Sequence, residues 1–397
     1  MLNMEALPLS GLVVMEFTHA VMGPTCGLLL ADLGAEVIHI EPPSGDETRR
    51  LKGFGTGYFP FYSRNKKSLA VDLKDPAGKA IIYQLAQRAD ILVENFGPGT
   101  MDRLGFSHEK MAEINDKLIY CSLKGFLSGP YENRHAMDEV VQMMGGLAYM
   151  TGPPGMPLRA GTSIVDITGG MFGLIGIMAA LYERTATGKG KFVKGALFET
   201  TAFLMGQHMA YAAITRTPVP PMPARVSAWS VYRTFPTSEG ELVFIGLISD
   251  RHWEKFCQAF ERPDLASNPR LATNNTRIDE RDWLLPDLEK MLVKFTKAEI
   301  IARCEAAGFP FAPIARPEDL FDDVQLNAGG SLLATTLPDG TQTKLPNFPV
   351  EYGGADFGLR SDPPRIGQHT AELLASLGYT PAQVEQLAQT QVVKVGE

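Results

Sequence analysis

The sequence predicts an α/β protein in which a large domain holds a Rossmann-like, doubly wound parallel sheet and a smaller α+β domain stands beside it. Three observations carry this. Short apolar runs recur at residues 12–17, 36–41, 68–73, 91–94 and 118–123, and stretches with helical periodicity separate them. Strands divided by helices of that length pair in parallel and collect their ligands at the carboxyl ends of the strands. A proline-rich link at 218–223 then leads into a segment of different pattern.

Element by element, residues 12–17, an apolar helical stretch at 24–33 and residues 36–41 form a first β-α-β unit. Residues 68–73 open a second, in which Asp75 is the N-cap and Pro76 the first helical residue of a helix reaching about residue 89. The strand 91–94 follows, and another helix leads to 118–123. Farther on, 163–165 reads as a strand-like run, 171–183 as a buried helix, 192–197 as a strand and 199–213 as a helix. These complete the first part of the large domain, 1–215. The small domain, 225–325, takes strands at 231–235 and 242–246 around a turn at 238–240, with helices at 250–260, 280–294 and 297–307. Residues 330–397 return to the large domain, where Gly367 and His369 close a final helix at 370–377.

With 397 residues, 45% hydrophobic and 21% charged, the composition is that of an ordinary globular protein with two domains. The longest apolar run, 171–182, reads as too short to span a bilayer, so the expectation is a cytoplasmic protein without a membrane partner. Four widely spaced cysteines suggest neither a zinc site nor a disulfide framework, and no metal or permanently bound cofactor is expected. A net charge of −8 argues against nucleic acid, while local basic clusters leave room for a phosphate-bearing ligand.

Glycines at 23, 27 and 34 do not make G-x-G-x-x-G, so dinucleotide binding is disfavoured. Lys74, then Asn95, Phe96 and Gly97 with Arg103, then Lys124, Gly125 and Phe126 stand after successive strands. Cations and glycine turns at neighbouring strand ends suit a phosphorylated ligand. Asp166 lies between Ser163-Ile164-Val165 and a glycine-rich helix start containing Gly169 and Gly170. A carboxylate there meets unpaired N–H groups and the positive end of the helix dipole, stays ionised, and can attack an activated acyl group without a base. The same residue type also serves as an ordinary N-cap.

Taken in order, Phe17-Thr18-His19, Gly23-Pro24, Asn65-Lys66-Lys67-Ser68, Val93 to Gly99, Arg103-Leu104-Gly105-Phe106 and the Asp166 segment closely resemble the class III (CaiB/BaiF-type) CoA-transferases. That family includes formyl-CoA transferase and succinyl-CoA:dicarboxylate CoA-transferases, and the similarity covers nearly the whole chain. It implies Asp166 as the nucleophile, forming an aspartyl-CoA thioester, with coenzyme A as substrate and product. It also implies that Val21, Met22, Val71, Lys74, Asn95, Phe96, Gly97, Arg103, Lys124, Gly125 and Phe126 line the CoA site. Two subunits would interlock as a homodimer. Backbone N–H groups near Gly169 and Gly170, or a partner's glycine loop, would stabilise the oxyanion.

Departures narrow the inference. Val21 replaces a glutamine and Phe126 a tyrosine of the formyl-CoA transferases, which disfavours oxalate as acceptor. Pro42, Pro43 and Ser44 leave no adenine-contacting arginine, for which Arg49 or Arg50 would substitute, and residues 224–229 replace a run of glycines. Racemases of the same superfamily use a histidine where Met137 stands before Asp138, and a strand or helix would turn His135 elsewhere. An acyl-CoA hydrolase is the remaining alternative. For the acceptor, the expectation is a C4–C5 dicarboxylate such as itaconate, malate, citramalate or mesaconate, with succinyl-CoA as donor. His19, Arg159 and Arg225 are candidate anchors for its second carboxylate, as are His39 and Arg233 by position.

Overall fold

The computed structural model describes residues 7–225 and 227–396. The chain divides into two compact units, one built from residues up to Ala224 together with Val324 onward, the other from Arg225–Asp323.

The first unit contains a seven-stranded sheet of β1 (Val13–Phe17), β2 (Glu36–Glu41), β3 (Lys66–Val71), β4 (Ile91–Glu94), β5 (Ile119–Lys124), β6 (Phe192–Ala196) and, far along the chain, Val393–Lys394. Six strands are parallel in the order β3-β2-β1-β4-β5-β6, and Val393–Lys394 joins antiparallel to β3. The chain leaves β1 toward β2 on one side and later returns to β4 on the other, so strand order reverses between β1 and β4. Doubly wound sheets open a ligand crevice at such a point.

Side-chain alternation sorts the strands onto two cores. Met15, Phe17, Ile38 and Leu69 pack with the helices Pro76–Ala86 and Thr370–Ser376, while Val14, Val37 and Val93 pack with Met22, Cys26, Val165 and Ile177. The second face belongs to the helices Met22–Asp32 and Ile164–Thr187, which lie against each other through small residues. A Cβ at Gly170 would stand 2.6 Å from the Met22 carbonyl oxygen and 2.8 Å from Thr25 Cβ, so only glycine permits this approach.

Three local readings change. Residues 163–165 are no strand: Ser163 is the N-cap and the helix already begins at Ile164. Only one side of that helix is covered within the chain, since Met171, Ile175, Met178 and Tyr182 are exposed. The apolar run read as too short belongs to a helix of 24 residues that is long and apolar enough to cross a membrane by length and composition alone. Finally, the helix expected at 199–213 is two, Leu197–Leu204 and Gly206–Thr215, broken at Met205.

The second unit holds the antiparallel sheet Val231–Pro236, Leu242–Leu247 and Phe311–Pro313 with helices Asp250–Ala259, Arg281–Leu292 and Lys297–Ala307. Its own core gathers Phe235, Ile245, Trp253, Phe256 and Leu288. In the returning segment, Gly367 donates to Ser68 Oγ at 2.8 Å and His369 Nδ1 accepts from Ser68 N–H at 3.2 Å, so this motif stitches the C-terminal segment to β3.

Candidate active site

A cavity of about 480 Å³ lies at the carboxyl ends of β1, β4 and β5, where the strand order reverses. His19, Val21 and Met22 reach it after β1, Asn95, Phe96 and Gly97 after β4, Lys124 at the end of β5 and Gly125 just beyond, and Arg159 and Asp166 also line it. These loops are held from within. Asn95 accepts from the His19 N–H at 3.0 Å and donates to the His19 carbonyl at 2.9 Å, closing both backbone groups of His19 with one side chain. The His19 ring stacks on Phe96 at 5.8 Å. Thr18 and Asn95 crowd Gly23 so closely that a Cβ there would meet them at 2.6 and 2.8 Å.

Lys124 is not solvated: its Nζ donates to Glu94 Oε2 at 2.7 Å and to the Phe96 carbonyl at 2.6 Å. Glu94 in turn accepts from the Phe96 N–H at 3.0 Å and from Ser122 Oγ at 2.5 Å. A buried carboxylate thus fixes the loop after β4 through charge-assisted bonds.

Asp166 occupies the first turn of the long helix and is half-buried. The orphan N–H groups there are taken by another residue: Asp138 Oδ2 accepts from Val165 at 2.9 Å and from Asp166 itself at 3.1 Å. Asp138 is buried, bonds Gln142, and has Arg159 Nη2 3.6 Å from its Oδ1. Asp166 is therefore not an N-cap, and the expectation that it is firmly ionised fails. Burial first, and the Asp138 charge second, push its pKa up to about 7, against a smaller lowering by Arg159. Gly169 and Gly170 lie inside the helix, where backbone N–H groups pair along the axis, so they offer no oxyanion donors.

Several assigned residues do not come to this cavity. Val71 is fully buried in the core under β3, and Phe126 is buried against Tyr131 and Phe198. Lys74 and Arg103 are exposed at the ends of β3 and beyond β4, where Arg103 donates to Thr100 Oγ1 at 2.9 Å. Arg225 opens the second unit, and Arg233 lies in it 3.7 Å from Glu289. His39 is buried between Glu16 at 2.9 Å and Asp46 at 3.3 Å. Although burial alone lowers its pKa, the bonds to Asp46 and Glu16 raise it to about 9, so it is a structural cation. Arg49 makes two bonds to Glu41, at 2.8 and 2.6 Å, and stacks on Phe59, while Arg50 donates to the Ser44 carbonyl at 2.7 Å. His135 reaches the cavity after all, because residues 131–137 form neither helix nor strand. The sequence reading missed Tyr58 and Arg134, which also line it, and noted Asp138 only beside Met137.

Fold and crevice together define a doubly wound α/β protein that receives a ligand where its strand order reverses. The profile of CoA-transferase family III matches residues 9–370. A succinyl-CoA:glutarate CoA-transferase of Mus musculus is 31% identical, over 98% of this chain and 91% of its own. An acetyl-CoA:oxalate CoA-transferase of Acetobacter aceti is 37% identical, over 88% of this chain and 90% of its own. Among solved structures, a CaiB/BaiF family protein from Brucella suis superposes with a TM-score of 0.84 at 32% identity, covering 94% of this chain and all of that one. The chain belongs to CoA-transferase family III. It is a CoA-transferase, with coenzyme A as substrate and product.

Proposed function

We propose that this enzyme moves CoA from succinyl-CoA to a C4–C5 dicarboxylic acid, such as itaconate, malate, citramalate or mesaconate, through a thioester on Asp166. The observation that carries this reading is the Asp166 carboxylate set in the crevice that also holds Val21, Met22, Asn95, Phe96, Gly97, Lys124 and Gly125. The relatives named for succinyl-CoA:glutarate transfer, from Mus musculus and Agrobacterium fabrum, support the donor and the dicarboxylate class.

In the proposed cycle an ionised Asp166 oxygen attacks the thioester carbonyl, the C–S bond breaks, and CoA thiolate leaves an aspartyl–succinyl anhydride. The thiolate then attacks the aspartyl carbonyl and releases succinate, giving aspartyl-CoA. An acceptor carboxylate attacks that thioester to form a second anhydride, and the thiolate returns to the acceptor's carbonyl, restoring Asp166. No proton is consumed overall. Thioester energy survives only if water is kept from the intermediates. Without Gly169 and Gly170 as donors, the oxyanion would meet the N–H groups at the start of the helix Met22–Asp32, whose N-cap residue Val21 supplies no side-chain bond. Lys74 and Arg103, exposed beyond the crevice, would take the nucleotide phosphates of CoA.

The reading includes a cytoplasmic, interlocked homodimer. Tyr182 is 83%, Ile214 81% and Phe203 71% exposed in the single chain, and a second subunit would cover such apolar side chains. Sedimentation at the mass of one chain would argue against the dimer. A panel of acyl-CoA donors and carboxylic acids, read by mass spectrometry, tests the substrates: exchange between succinyl-CoA and dicarboxylates is expected, and exchange confined to monocarboxylates contradicts it. Because His135 shares the cavity with Asp166, the racemase alternative has its own check, deuterium entering the α-carbon of a chiral acyl-CoA with no carboxylate added.

A further inference from the structure

Among the described residues, three lysine or arginine side chains line the cavity that contains Asp166, and two are already engaged. Lys124 is paired with Glu94 at 2.7 Å, and Arg159 with Glu139 and, at 3.6 Å, Asp138. Arg134 differs. Among the described residues its guanidinium has no carboxylate or carbonyl partner; it lies over the Tyr131 ring, 4.7 Å from the centroid, and 6.0 Å from that of Phe126. Those two rings contact each other and Phe198, forming a packed aromatic platform. A cation–π contact uses the charge of a guanidinium without consuming its N–H groups, so the fork remains able to grip a carboxylate through two parallel bonds.

We propose that Arg134 anchors the second carboxylate of the dicarboxylic acceptor while the first meets Asp166. The inference rests on the dicarboxylate reading above and adds the residue that selects for it. Phe126, 6.0 Å from the Arg134 guanidinium, takes part in the same aromatic cluster. Arg134 is exposed, so a monocarboxylic acid of the same length would leave the fork to water and forgo both bonds, and discrimination arises from bonds gained by the dicarboxylate at the acceptor step.

The test compares Arg134→Gln and Arg134→Lys with the wild type, using the best acyl-CoA donor throughout and a dicarboxylate against the monocarboxylate of equal length. The ratio of their kcat/KM values should fall roughly ten- to a hundredfold in Arg134→Gln, as for loss of bonds to a charged group. Arg134→Lys should recover part of it, because an ammonium keeps the charge without the fork. Binding of CoA relative to 3′-dephospho-CoA should not change. Equal losses for both acids overturn the proposal, and so does an intact acid ratio with a lost preference for CoA over 3′-dephospho-CoA, which would make Arg134 a phosphate anchor. A wild type that shows no preference for dicarboxylates overturns the acceptor reading itself, before any variant is compared.

Discussion

The Asp138 carboxylate accepts a hydrogen bond from the backbone N–H of Asp166 at 3.1 Å, so the residue proposed as nucleophile is held at the helix start by a second acid. One side chain thereby does two things. It satisfies helix N–H groups that would otherwise be unpaired, and its negative charge makes ionisation of Asp166 harder.

The first consequence concerns pH. Attack requires ionised Asp166, and its pKa is pushed up to about 7 by burial and by Asp138. Transfer measured as kcat/KM should rise tenfold per unit of pH on the acid side and level off above about 7. A flat profile from pH 5 upward would show an acid of ordinary strength.

Asp138→Asn separates the two roles. An amide oxygen still accepts from Val165 and Asp166, but the charge is gone, so the acid limb of the profile should move to lower pH. Asp138→Ala removes the cap as well and should cost about 1 kcal/mol or more in denaturant unfolding.

Stability and pH are linked through the same group. The pKa of Asp166 is raised from 3.8 in the open chain to about 7 in the fold, so between those values the folded protein holds a proton that the unfolded chain releases. Its contribution to stability is therefore lost as pH rises toward 7. Asp166→Asn should match the wild type near pH 4 and exceed it above pH 7, by roughly 1–2 kcal/mol once solvent screening at this half-buried position is allowed for. Thermal melts at both pH values would show it; an advantage at low pH would contradict the sign. The same variant should lose acyl exchange.

Much of this arrangement was legible in the sequence, and the failures share a cause. Runs such as Val13–Phe17 and Ile91–Glu94 are fixed by their own β-branched and apolar residues, so their place in the parallel sheet could be read locally. The start of the long helix could not. Ile164 and Val165 favour a strand locally, and the side chain that satisfies the N–H groups of this helix start, Asp138, lies 27 residues upstream of Val165. For the same reason Asp166 looked like a firmly ionised carboxylate: the helix dipole is visible in a sequence, whereas the burial and the Asp138 charge that oppose it are not. The burial of the Phe126 and Val71 side chains, made by residues from other segments, could not be read locally either. Arg134 carries no local signal, since stacking on Tyr131 distinguishes it only in three dimensions.

Close packing of the two helices beneath the crevice gives a further expectation. Gly170→Ala places a Cβ 2.6 Å from the Met22 carbonyl oxygen, a backbone atom that can yield only if the helix Met22–Asp32 moves. The variant should be destabilised by about 1–3 kcal/mol, in spite of alanine's better helix propensity, and should weaken CoA binding because Val21 and Met22 line the site. Unchanged stability would mean that the helices are not in contact there.

The most direct test is to mix the enzyme with succinyl-CoA alone, quench with hydroxylamine during turnover, and locate the adduct by peptide mass spectrometry. A hydroxamate on Asp166, absent when acyl-CoA is omitted and absent from Asp166→Asn, is the predicted result. Full exchange activity with Asp166 recovered unmodified, or with the adduct on another side chain, would contradict the account.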